Sequence, residues 1–378
     1  MKCKITLFLT LFCASFVYSQ VNIQRNFNLE LAEKDSLTSA KIEASLQGFL
    51  AQAQNGDYSS EYVDPEHQKE FEFFFNKLAG IGKDNHPDFN EPIILKSFTA
   101  DHETYQLTVA FTGQRDGVPF IYQITELQAV PYQDHYRFYC PFRERTANFK
   151  RQKIKNVTFY YSGSINEQKA IEFADFKEEL SLLTQTPNEK LDYYCFASLD
   201  ELLKSYGFVY SARQCNFLCY DLGFTDSNGK IYVTGTNNEN YRFGYIGDYL
   251  YANLPNKESM YWPFVQGLST YYGGYGLSYE NVAELKQQFK AELQRNPQID
   301  FLEEFKKGRK SSVNRHFSYY VMSAFLCEEI IKQKGFDGVL KLVYSGEDGN
   351  SFFANLKDVL NIDEQDFHQN ILRMINES

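Results

Sequence analysis

Residues 261–274 read YWPFVQGLSTYYGG. An apolar half-turn leads into Gln266-Gly267-Leu268, and an aromatic pair and two glycines follow. The stretch predicts a helix that lines a cleft. Yet Gln266 cannot ionise, cannot act as a general base and is a poor metal ligand. From about residue 240 onward no strand pattern is left, so this helix belongs to a helical half. The rest of the chain sets what that half is attached to.

The chain has 378 residues, enough for two domains with separate cores. Hydrophobic residues make up 43% and charged residues 23%, which places it among globular proteins. The net charge of −11 argues against a general nucleic-acid binder. The basic cluster Arg143, Arg145, Lys150, Arg151, Lys153 and Lys155 lies along one short segment and reads as a solvated linker or edge strand.

MKCK followed by ITLFLTLFCASFV is a basic start before an apolar run, with cleavage expected near Ser19 and Gln20. Residues 1–19 therefore read as a secretory signal peptide. Cys13 is a poor lipidation candidate because the bulky Phe12 precedes it. No later segment is apolar enough to span a bilayer, so the expectation is a soluble protein, secreted or periplasmic. Five cysteines follow the leader: Cys140, Cys195, Cys215, Cys219 and Cys327. The odd number leaves at least one unpaired within the chain, and Cys215 and Cys219 can close in a turn or sit reduced on one helical face. Asn156-Val-Thr158 is a glycosylation sequon, meaningful only in a eukaryotic host.

Residues 20–148 predict an N-terminal α+β domain. Asp35 or Ser36 caps a helix with Ile42, Leu46, Phe49, Leu50 and Ala53 on one face, stopped at Asn55-Gly56. A second helix carries Phe71, Phe74, Phe75 and Leu78. The period then changes to two: Tyr105, Leu107, Val109, Phe111; Phe120, Tyr122, Ile124; Tyr136, Phe138, Cys140, Phe142. Residues 114–117, QRDG, make the hairpin turn between two of these runs. Two helices packed on an antiparallel meander resemble the cone-shaped NTF2-like or cystatin-like domains, here with an interior expected to be filled by aromatics.

Residues 149–378 predict a second domain, entered through a polar, basic boundary near 143–153. Its strands are expected at 155–162 and 190–197, with a hairpin over 223–235 turning at Asn228-Gly229. Helices are expected with Ala170, Phe173, Phe176, Leu180 and Leu183 on one face and, after the Ser198–Glu201 capping box, up to Gly207. Ser278 is read as the cap of a helix with Val282, Leu285, Phe289 and Leu293. Another helix spans about 316–334, and two short ones close the chain around 351–360 and 364–375. The fold class is a small mixed sheet joined to a helical C-terminal half.

The order VTFYYS, KLDYYCFASLDELLKSYG, GKIYVTG, VQGLSTYYGG and YYVMSAFLCEEIIKQKGFDGVLKLVYSG resembles the peptidase-MA-like, gluzincin-type zinc metallopeptidases over about residues 153–378. The resemblance implies metal-assisted hydrolysis. An HExxH helix would hold zinc and activate water, and a glutamate on the next helix would complete the site. Here Gln266 stands in that glutamate's place. The upstream match, IGDYLYANL (246–254), puts Gly247 and Tyr251 at the histidine positions and Asp248 at the glutamate position. No HExxH or HxxxH occurs in the chain. His67, His86, His102, His135, His316 and His368 are not at ligand spacing. Tyr320, in YVMSA, matches the position of an oxyanion-stabilising tyrosine, or is simply a core aromatic.

Other chemistries fail on context. The glycines of 273–276 follow a helix instead of opening one. Glu328 and Glu329 diverge on a helix, and no Gly-x-Ser-x-Gly elbow is present. The reading is therefore a degenerate peptidase frame without catalytic residues, metal or cofactor. It would act by binding an unknown peptide or protein partner, and neither nucleic acid nor a transmembrane segment is implied. The aromatics Tyr249, Tyr251, Tyr261, Trp262, Tyr271 and Tyr272 suit peptide or sugar contacts, or a core. The alternative is an active hydrolase with altered, non-HExxH chemistry that uses Asp248 and Tyr320.

Overall fold

A computed structural model describes residues 23–25, 36–53, 60–78, 89–101, 104–211, 223–226, 228–274, 281–308 and 318–377. The leader, Asn55-Gly56, Cys215, Cys219, Ser278, His86, His102 and His316 lie outside them. The chain divides into two units, Met1–Cys140 with Val209–Ser211, and Pro141–Phe208 with Ala212–Ser378. The fold is α+β, with an antiparallel-rich sheet in the first unit and a mixed sheet in the second.

Unit 1 begins with strand β1 (Gln24–Arg25), helices α1 (Ser36–Ala53) and α2 (Gln68–Leu78), and strands β2 (Phe89–Asp101), β3 (Thr104–Arg115), β4 (Val118–Tyr132) and β5 (His135–Tyr139). The strands pair in the order β1-β2-β3-β4-β5. The α1 face forms as its 3.6-residue spacing dictates: Ile42, Leu46, Phe49, Leu50 and Ala53 are all buried. Each large one stabilises by about 2 kcal/mol relative to exposure. Phe49 meets Phe138 of β5 at 5.0 Å between ring centroids. Ser45 Oγ ties α1 to β5 by accepting the Tyr136 N–H at 2.9 Å. The β3–β4 turn places Asp116 at φ 53° and Gly117 at φ 76°, the double positive φ of a two-residue hairpin loop.

One strand departs from the expected alternation. Phe111 pairs with Gln123 while Thr112 pairs with Ile121, so Tyr122 is an extra residue in β4. That bulge flips the strand's phase. The buried face beyond it carries Gln123, Thr125, Leu127 and Ala129 in place of an aromatic row, and Ile121 is exposed. The interior is thus partly polar, and Gln123 Nε2 and Thr125 Oγ1 have no hydrogen-bond partner.

Unit 2 continues with α3 (Phe142–Thr146), β6 (Lys150–Ile154), β7 (Val157–Tyr161), α4 (Glu167–Leu183), β8 (Leu191–Cys195), α5 (Leu199–Ser205), β9 (Phe208–Ser211), β10 (Gly223–Thr225) and β11 (Ile231–Thr234). Then come α6 (Arg242–Asn253), α7 (Trp262–Gly273), α8 (Val282–Arg295), α9 (Phe301–Lys307), α10 (Ser318–Val343), α11 (Phe352–Leu360) and α12 (Phe367–Asn376). The sheet order is β10-β11-β8-β7-β6. β7, β8 and β11 run parallel, and both edges are antiparallel. β9 pairs with β4, and its Val209–Ser211 belong to unit 1.

The central strands and α4 share an aromatic core. Tyr193 lies 5.0 Å from Phe159 and 4.8 Å from Phe173, and Tyr232 lies 5.3 Å from Tyr245. The basic segment resolves into α3 and the edge strand β6, where lysines discourage pairing with another chain. Lys155, in the turn after it, is neutralised by Asp175 and Glu178.

Ser198 caps α5 as the sequence indicates, but Glu201 reaches back to the Ala197 N–H at 2.7 Å. One boundary differs from expectation: the cap of α8 is Asn281, in a full capping box with Glu284, and not Ser278. The helix expected to end near 334 does end there, because Gly335 leaves the helical region at φ 68°, and a second helical stretch of α10 continues to Val343. Among the described residues no helix is long and apolar enough to cross a membrane.

Cys140, Cys195 and Cys327 are buried as thiols. Burial, with Glu239 nearby, pushes Cys195 up to about 12 from an ordinary 9.0. The folded state therefore keeps a proton that the unfolded chain loses from about pH 9. That contribution is complete below pH 9 and is lost as pH rises toward 12. Denaturant unfolding at pH 8 and pH 11 is expected to show a larger loss of stability for the wild type than for Cys195→Ala.

Candidate functional site

Gly247 and Gln266, nineteen residues apart in the sequence, meet in space. Gly247 is buried on the face of α6 that packs on α7. A Cβ built there would lie 3.6 Å from Gln266 Nε2, 3.6 Å from Trp262 Cζ3 and 3.8 Å from Ser269 Oγ. These are ordinary contact distances, so the notch at Gly247 is the size of a methyl group. It is closed by the Trp262 ring and the Gln266 carboxamide.

The carboxamide is under-used. Gln266 Oε1 is buried without a partner, and so are Ser269 Oγ one turn further along α7 and Ser323 Oγ on α10. An acceptor and two hydroxyls without partners in a buried place cost free energy unless something supplies the missing hydrogen bonds. Gly267 lets α7 press directly onto α10: a Cβ at this position would lie 2.1 Å from Ser323 Cβ.

Asp248 points elsewhere. Its carboxylate accepts the Thr225 N–H of edge strand β10 at 2.6 Å. Gly244, one turn earlier, lets the same face of α6 approach that strand, where a Cβ would lie 2.8 Å from the Gly223 carbonyl oxygen. Successive helical residues are about 100° apart, so Asp248 serves the sheet while Gly247 faces Gln266. An altered hydrolase that takes Asp248 as its base must do without that backbone bond.

Tyr251, one turn after Gly247, is 46% exposed and stands beside Trp262, itself 37% exposed; their centroids are 5.9 Å apart and their planes inclined by 34°. Lys257, in the connection to α7, holds its ammonium 4.8 Å from the Tyr251 ring centroid. Tyr249 is buried, and its hydroxyl hydrogen-bonds with Thr186 Oγ1 at 2.6 Å. Tyr271 and Tyr272 are half-buried, and burial raises both phenols. Tyr320 is 2% exposed and packs on Tyr319 with centroids 4.1 Å apart, as a core aromatic would.

The described histidines are dispersed. His67 stacks on Tyr139, His135 pairs with Asp134, and His368 Nδ1 accepts the Phe301 N–H. Among the described residues no group of three or more His, Cys, Asp or Glu side chains is placed to hold a metal ion. Ser269, Ser323 and Lys257 were missed in the sequence. Only Ser269 carried a signal, its three-residue spacing from Gln266.

Gly247→Ala is expected to be tolerated. The methyl fits, and alanine is favoured over glycine inside a helix by about 1 kcal/mol. A denaturation midpoint at or above that of the wild type checks this. Gly247→His must displace Trp262 and is expected to lower the midpoint.

The chain matches no protein-family model and no curated protein.

Proposed function

We propose that this is an exported protein whose second unit keeps the helical frame of a gluzincin-type peptidase and acts by holding a peptide or protein segment. The occupied face is Trp262, Tyr251 and the Gln266 carboxamide. The contact of Gly247 with Gln266 carries this reading: two of the three positions that would hold zinc in the resembling family are adjacent, and both lack a good metal-binding group. The exposed aromatic pair supplies apolar area at low entropy cost.

Elemental analysis of the mature protein, followed by incubation with zinc and a peptide mixture, tests the reading. The expected result is substoichiometric metal and peptides recovered uncut. Near-stoichiometric zinc together with cleavage overturns it. N-terminal sequencing of the exported protein is expected to start near Gln20.

A further inference from the structure

The face that would hold the segment is not electrically neutral. Lys257 is half-buried against Tyr251, and among the described residues no carboxylate pairs with it. Its chain neighbour Glu258 is exposed. Deeper in, Gln266 Oε1 and the fully buried Ser269 Oγ lack partners. A cation on a ring and an exposed indole beside it thus share one face.

We infer that the segment held here is an acidic peptide, with an aromatic or other flat apolar side chain against Trp262 and Tyr251 and the carboxylate of an adjacent aspartate or glutamate at Lys257. This rests on the peptide-holding reading and narrows it. Charge complementarity selects the class: the protein carries a net charge of −11, and this face nonetheless presents a cation with no carboxylate taking it up. A basic peptide would place like charges together, and a neutral sugar would leave Lys257 without a counter-charge.

The test uses the full mature chain and three capped probes: acetyl-Gly-Phe-Glu-Gly-amide, the same peptide with glutamine for glutamate, and the same with lysine. Binding is read by the emission of Trp262, the single tryptophan of the chain. The glutamate probe is expected to bind roughly fivefold tighter than the glutamine probe, the upper end for one exposed ion pair. In Lys257→Met that preference for the glutamate probe over the glutamine probe should vanish. Equal affinities for the glutamate and glutamine probes, or tighter binding of the lysine probe, overturn the acidic specificity and leave peptide holding intact. If none of the three probes binds but a random peptide mixture still shifts the emission, the inference also fails alone. If an oligosaccharide perturbs Trp262 and no peptide does, both readings fall.

Discussion

Gly267→Ala should destabilise the protein by about 3 kcal/mol, the upper range for overpacking a closed core. The added Cβ would lie 2.1 Å from Ser323 Cβ and 2.9 Å from the Ser323 carbonyl carbon. Carbon atoms prefer about 3.5–4.0 Å, and backbone cannot swing aside as a side-chain tip can. α7 and α10 would have to part along a contact in which Leu268, Val321 and Ala324 are also buried. Urea unfolding followed by Trp262 emission measures the loss. Adding Ser323→Gly removes one of the colliding carbons, so the double variant should recover part of the stability. Additive losses would show that the two helices do not meet here.

Glu328→Gln should cost a similar amount, about 3 kcal/mol, because it strands a buried ammonium. Lys286 is only 7% exposed, and its Nζ lies 2.6 Å from Glu328 Oε2, joining α8 to α10. Lys332 approaches the other oxygen at 3.2 Å. Burial raises the Glu328 carboxyl, but the hydrogen bonds and charges of Lys286 and Lys332 outweigh it and hold the group below its usual 4.5. A depressed carboxylate contributes stability above its unfolded value and loses it as pH falls through the folded one. The gap between wild type and Glu328→Gln should therefore be full at pH 7 and shrink below about pH 4.5. Lys286→Met in the Glu328→Gln background should recover part of the loss, since it removes the stranded charge. A gap that does not change with pH would mean that the pair is not what the substitution disturbs.

Local chemistry made much of the fold legible. The α1 face, the Ser198 cap and the Asn228-Gly229 turn each depend on a few neighbouring residues, and each stands where its spacing put it. The β4 phase did not, because one bulge residue, Tyr122, reverses which side is buried, and bulges leave no mark in an alternating pattern. The pairing of β9 with β4 joins distant stretches of chain and has no local signal.

The site divides the same way. Gly247 and Gln266 could be matched by the order of the surrounding elements, and they do meet. The direction of Asp248 depends on where β10 sits, a tertiary fact that spacing along α6 cannot carry. Lys257 escaped notice because a lone lysine after a helix is ordinary until its ring partner is known. The notch at Gly247 is methyl-sized because Trp262, at the start of the next helix, folds over it, and no motif rule ties those two positions together.

The face around Gly247 and Gln266 is expected to hold peptides and leave them uncut. The most direct measurement is a titration of the mature protein with a random peptide mixture, read by Trp262 emission, with mass spectrometry of the mixture afterwards. A saturable change in emission, with every peptide recovered at full length, is the predicted result. Unchanged emission at saturating peptide, or fragments that accumulate with time, would contradict it.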